Sequence, residues 1–233
     1  MVSELLIIAD IVSAAAAFTL GYSTIEPCRL SGVKYLLGVP AGFALIGIGF
    51  LLGFPTWTGV SGSTIGFATV SLLTQTYGLL FVALTYARRT RLRLIGESVI
   101  LEILIPVLVT IGAVTYAVIS QGSGASEVFR VLDMPLRAVM IISILYLIYE
   151  TTRNWSYTQR ASEGVVTVAF ISLLIEQLGF LLVAENLGDV ATFVGYEGRL
   201  LGLFILTALT VVKVREGDHR TVLRRLGLTA LAH

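Results

Sequence analysis

The chain has 233 residues, 56% of them hydrophobic and 13% charged, with a formal net charge of +1 and a mean hydropathy of +0.89. Soluble domains carry roughly 25% charged residues, so this composition excludes disorder and leaves too little polar material to surface an ordinary soluble domain. One cysteine, Cys28, excludes a disulfide framework and every multi-cysteine metal or iron–sulfur site, and with His219 and His233 both in the polar tail no imidazole is placed to hold haem inside a membrane.

A helix rises about 1.5 Å per residue and hydrocarbon is about 30 Å thick, so roughly 20 mainly apolar residues make a span. Seven segments qualify: residues 3–22, 35–54, 59–87, 98–120, 128–149, 164–184 and 190–212. The first carries Glu4 and Asp10 and has no basic residue before it, which marks a retained span rather than a signal peptide. The predicted fold class is all-α, a polytopic membrane protein of seven transmembrane helices occupying residues 1–214. Residues 215–233 form a basic tail, in which Val222, Leu223, Leu226 and Ala230 fall at helical spacing among Arg220, Arg224 and Arg225. That pattern fits a cytoplasmic amphipathic helix on anionic headgroups, or a basic tail that only fixes orientation.

Orientation follows from where Lys and Arg fall. Arg29 and Lys34 follow the first span; Arg88, Arg89, Arg91 and Arg93 the third; Arg153 and Arg160 the fifth; Lys213, Arg215, Arg220, Arg224 and Arg225 the seventh. The opposite loops, 55–58, 121–127 and 185–189, hold none. The N-terminus is therefore expected outside and the C-terminus in the cytoplasm, with the protein in the cell membrane. Short loops make neighbouring helices adjacent and antiparallel, so the chemistry must sit inside the bundle.

An internal repeat is visible. Gly49-Phe50-Leu51-Leu52 recurs as Gly179-Phe180-Leu181-Leu182, and Leu84-Thr85-Tyr86-Ala87-Arg88 resembles Leu209-Thr210-Val211-Val212-Lys213. Spans one to three and five to seven then read as two parallel triplets about a linking fourth helix, an arrangement that several receptor and transporter bundles use; chance similarity of apolar runs is the alternative.

An ionisable side chain at mid-membrane costs at least about 2.5 kcal/mol and needs a partner, water or a function. Asp10, Asp133, Arg137, Glu176, Glu197 and Arg199 all fall in the outer half of the expected bilayer, four acids against two arginines. Asp133 and Arg137 are four apart and can pair within one helix. Glu197 and Arg199 are two apart and cannot face the same way, so Arg199 must look to another helix, with Glu176 or Asp10 as partner. Two outcomes remain open: a fixed interhelical tie, or a water-filled outward pocket in which Glu176 or Asp10 holds a proton or cation. Gln75, Tyr77, Tyr116, Tyr146 and Tyr196 supply further polar groups for such a pocket.

The small-residue pairs Gly38/Gly42, Gly49/Gly53, Gly62/Gly66 and Gly198/Gly202 have the spacing that lets helices approach closely. Pro40, Pro106 and Pro135 are expected to kink their helices or to be accommodated in them. No phosphate loop, metal cluster or nucleophile motif is present in the sequence.

Seven spans, an external N-terminus, short loops and an acid-and-arginine cluster make the chain resemble the microbial rhodopsins in layout. That family's retinal-binding lysine would lie midway along the seventh helix, whereas the lysines here are Lys34 and Lys213 at cytoplasmic ends; the resemblance therefore implies an opsin-like bundle without a retinal Schiff base. The stretch 32–53, with Tyr35-Leu36-Leu37-Gly38 and Gly47-Ile48-Gly49-Phe50-Leu51-Leu52, is also similar to small archaeal membrane proteins and to membrane input regions of sensor kinases.

The expected function is a non-photoactive sensor, or a membrane subunit of a larger complex, with an outward polar pocket. Its partners would be the bilayer and another membrane protein or a second copy, with no cofactor and no nucleic acid. A small-solute or proton-coupled transporter is the first alternative, and a lipid- or isoprenoid-modifying enzyme the second.

Overall fold

Backbone groups in hydrocarbon have no water to bond, so a long apolar run satisfies them internally by coiling into a helix. The computed structural model describes residues 2–30, 34–57, 64–90, 125–159, 161–184 and 188–215. Six helices occupy them: α1 (Val2–Leu30), α2 (Gly38–Trp57), α3 (Thr64–Thr90), α4 (Ala125–Thr158), α5 (Ala161–Ala184) and α6 (Gly188–Arg215), with a 3-10 turn at Lys34–Leu37 leading into α2. No strand occurs among the described residues. The expected span at 98–120 and the basic tail lie outside the described residues.

Five of the six helices contain a stretch long and apolar enough to cross a membrane: Glu4–Leu30, Gly66–Ala87, Leu132–Thr158, Ala161–Leu182 and Val190–Val212. In α2 the corresponding apolar stretch is the shorter Gly38–Gly53. Large apolar side chains face outward as well as inward, among them Ile8, Ile142, Ile171 and Phe204. A helix apolar on all sides is a lipid-facing or deeply buried helix, which here supports an integral membrane protein.

Several helix ends differ from the sequence expectation. α1 runs on through Glu26 and Pro27 to Leu30, and α4 continues past Tyr149 to Thr158. Hydropathy falls at both places, but helical hydrogen bonding continues wherever the backbone gains from it. In α4 the extension also buries Glu150 and Thr151 on the inner face. Pro40 is not a mid-helix kink: it is the third residue of α2, where an N–H would have no helical acceptor and proline is readily accommodated. Pro135 does lie inside α4, between Asp133 and Arg137. The turn from α4 to α5 is tight: Gln159 takes a left-handed φ of 54° and donates its N–H to the Trp155 carbonyl at 2.8 Å. Thr158 Oγ1 donates to Glu163 Oε2 at 2.7 Å across the same turn.

The helices close a ring: each packs on the next in order, and α6 packs back on α1. One end of this ring gathers Asp10, Phe50, Ser71, Arg137, Glu176 and Arg199. These residues lie early in α1, α3, α4 and α6 but late in α2 and α5, so α2 and α5 run opposite to the other four. The ring thus consists of two triplets with the same sense, α1–α3 and α4–α6. Beyond the gathered polar residues the interior holds an apolar core, to which Ala17, Phe43, Val82, Leu147, Phe170 and Leu206 contribute one side chain per helix, with Thr24, Thr85, Glu150 and Thr210 buried as well.

Candidate functional site

Arg199 organises the polar end. Its Nε donates to Glu176 Oε1 of α5 at 2.6 Å, and its Nη1 donates to Asp10 Oδ1 of α1, also at 2.6 Å. All three residues are at least 95% buried. The planar guanidinium suits this double task because its donors point along fixed, diverging directions, which a lysine ammonium cannot match. Phe50, Tyr196 and Phe180 surround it, with ring centroids 4.4, 4.6 and 5.4 Å from its Cζ. These rings displace water from the ion pairs while their negative faces stabilise the cation.

A second pair stands beside the first. Arg137 Nε donates to both Asp133 oxygens, at 3.0 and 3.1 Å, within α4. Arg137 also lies over Phe180, 5.3 Å from its centroid, so both guanidinium groups approach the same ring. The described charged groups here are three acids and two arginines, a net charge of −1.

These residues border a cavity of about 300 Å³. Its lining combines Asp10, Glu176, Arg137 and Arg199 with the uncharged polar residues Ser71, Gln75, Gln177 and Tyr196, and with apolar Phe50, Ala68, Leu72, Met140 and Phe180. Gln75 Nε2 donates to Ser71 Oγ at 3.0 Å, and Ser71 Oγ donates to the Gly49 carbonyl at 2.7 Å, which ties α3 to α2 at the cavity wall. Gly53 keeps the wall from crowding these groups: a Cβ there would stand 3.3 Å from Ser71 Oγ and 3.5 Å from Asp10 Oδ2.

Of the residues singled out from the sequence, Asp10, Gln75, Arg137, Glu176, Tyr196 and Arg199 therefore border one cavity, and Asp133 holds Arg137 at its edge. Tyr77 and Glu197 are not brought to it. Glu197 is exposed, and Tyr77 is half-buried away from the lining. Each is two residues from a lining residue, Arg199 and Gln75, and two helical steps turn a side chain by about 200°. Sharing a membrane depth with the site did not place them in it. Tyr146 belongs to the other end, where its hydroxyl donates to Glu150 Oε1 at 3.2 Å; Tyr116 lies outside the described residues.

Sequence reasoning passed over Ser71, Gln177 and the two repeat phenylalanines as site residues. The signal for Phe50 and Phe180 was their identical place in the repeated Gly-Phe-Leu-Leu, and both now flank the same guanidinium. The close helix contacts are glycine-mediated. A Cβ on Gly78 would meet the Gly42 carbonyl at 2.6 Å, and one on Gly198 would meet the Ser172 carbonyl at 2.6 Å. No group of three or more His, Cys, Asp or Glu among the described residues is arranged to hold a metal ion.

No protein-family model, no curated protein and no solved structure matches the chain.

Proposed function

We propose that the chain is a retinal-free, opsin-like membrane bundle acting as a sensor or as a membrane subunit of a larger complex, with a binding pocket open to the exterior. In this reading seven helices span the cell membrane, the N-terminus lies outside and the C-terminus in the cytoplasm, as the one-sided placement of basic residues favours. The polar end of the ring then faces outward.

The observation that carries the reading is the contrast between the two sides of Arg199. On one side lies a cavity bounded by Asp10, Glu176 and Gln75; on the other the ring is filled by Ala17, Phe43, Val82, Leu147, Phe170 and Leu206, all at most 4% exposed. A polar chamber backed by a packed apolar layer suits binding and signalling better than conduction, because an ion crossing that layer would have to shed its hydration among apolar side chains. Two triplets of the same sense favour a second reading, a transporter in which one triplet rocks against the other.

Proteoliposomes enclosing a pH dye separate the two readings. The sensor or subunit reading expects no proton movement above empty vesicles under an imposed pH or cation gradient. Sustained flux that vanishes in Glu176→Gln would replace it with the transporter. The subunit form further expects a second polypeptide to co-purify in mild detergent, and recovery as a lone monomer would count against that form.

A further inference from the structure

The cavity has four properties that together select a ligand class, given the reading of it as a binding pocket. Its charged lining residues are two acids and two arginines, and Asp133, which pairs with Arg137 at the edge, brings the described cluster to −1, so both arginines are already engaged by carboxylates. Gln177, only 2% exposed and part of the lining, carries a buried Oε1 with no hydrogen-bond partner among the described residues. A buried carbonyl oxygen without a donor is costly, and a ligand N–H would remove that cost. The lining is amphipathic, Leu72, Met140 and Ala68 sharing it with the charged cluster, and the volume of about 300 Å³ far exceeds that of a bare ion. Small organic ligands occupy chambers of roughly this size and character.

We propose that the cavity binds a small organic ammonium ion, its N–H groups directed to Glu176, Asp10 and the Gln177 carbonyl and its apolar body against Leu72 and Met140. An anion would face a net negative cluster whose arginines are committed. A metal ion would leave the apolar wall and most of the volume unused. The ammonium both restores charge balance and supplies the donor that Gln177 lacks.

Calorimetric titration of the full chain in nanodiscs, against empty nanodiscs, tests this with four probes at equal ionic strength: n-butylammonium, tetramethylammonium, butyrate and sodium. Saturable binding of n-butylammonium is expected. Tetramethylammonium, which has charge but no N–H, should bind about tenfold more weakly, and Gln177→Leu should weaken n-butylammonium by a similar factor. Ala68→Phe, which fills the chamber while leaving every ionic residue in place, should abolish binding while the protein still melts cooperatively, so loss of signal is not mistaken for loss of fold. Binding of butyrate or sodium in preference to n-butylammonium would overturn the ammonium assignment and leave a binding pocket standing. Equal affinity for the two ammonium ions, undiminished in a folded Gln177→Leu, would overturn the role of the N–H donor and with it the assignment. Binding of none of the four would remove both the ligand class and the pocket.

Discussion

The two triplets of the ring pack by one pattern and differ in what they place at its centre. Against α3, the backbone of α2 is approached at Gly49 by Ser71 and Gln75 and at Gly42 by Gly78; against α6, the backbone of α5 is approached at Gly179 by Ala191 and Gly195 and at Ser172 by Gly198. One constant shift in numbering relates α2 to α5, and another relates α3 to α6. Under these shifts Glu176 corresponds to Ile46 and Arg199 to Leu79. The α2-to-α5 shift applied to α1 sets Asp10 against Met140 and Ala17 against Leu147. The three counterparts, Ile46, Leu79 and Met140, are all buried and all apolar. The same positions in the same packing frame can therefore be closed by hydrocarbon. The ionic cluster is not what this architecture needs to form a ring, which is a physical reason to assign it a task.

The largest effect should come from breaking the cluster at its hub. Arg199→Leu copies the residue at the matching position but strands the Asp10 and Glu176 carboxylates in the interior. Removing one partner of a buried ion pair typically costs about 3–5 kcal/mol. Adding Asp10→Met and Glu176→Ile to the same protein completes the apolar version of the site. Exchange of buried charges for packed apolar side chains is often neutral or stabilising, so the triple variant should return to within about 1–2 kcal/mol of the parent. Reversible unfolding in mixed micelles measures both. A triple variant no more stable than Arg199→Leu alone would mean that the ring depends on its ions, and the comparison between triplets would lose its meaning.

An intermediate effect tests whether the two packing frames are equivalent. Alanine at Gly78 or at Gly198 would bring its Cβ to 2.6 Å from a backbone carbonyl, Gly42 in one case and Ser172 in the other. Neither helix can yield without separating, and overpacking of this kind costs about 1–3 kcal/mol. The two substitutions should be alike within about 0.5 kcal/mol and additive, since the sites are in different interfaces. Tolerance of one and not the other would show that the matched distances hide different packing.

What was legible beforehand follows from how strongly each feature is written in one dimension. Apolar runs mark the helices, because the backbone in hydrocarbon has few alternatives, and five described helices are long and apolar enough to span. Helix ends were less legible: Pro27 and Glu26 read as a loop, and the polar segment after Tyr149 read as an exit from the helix, yet both are helical. The direction of Arg199 was legible from its two-residue spacing to Glu197. Which carboxylate it meets was not, because that depends on which helices close the ring; the guanidinium meets both Asp10 and Glu176. Gln177 escaped notice because an uncharged residue beside Glu176 carries little signal until its buried oxygen is seen to lack a donor among the described residues.

The smallest effect on stability, and the sharpest on the site, concerns the pair that has no counterpart role in the other triplet. Asp133 and Arg137 lie on one helix with side chains 20% and 16% exposed, so their attraction is partly screened and Asp133→Asn should change stability by less than about 1 kcal/mol. The same substitution leaves Arg137 charged at the cavity edge and brings the net charge of the described groups from −1 to zero. Affinity for n-butylammonium should then fall about three- to tenfold at low salt, and the deficit should shrink as added salt screens the exposed edge. Asp133→Glu, which keeps the charge, should recover most of it. A fall in affinity that Glu does not rescue, or that salt leaves unchanged, would assign Asp133 a positional role in holding the Arg137 side chain over Phe180 at the chamber edge. In that case the asymmetry between the triplets would reside in the shape of the cavity wall as well as in its charge.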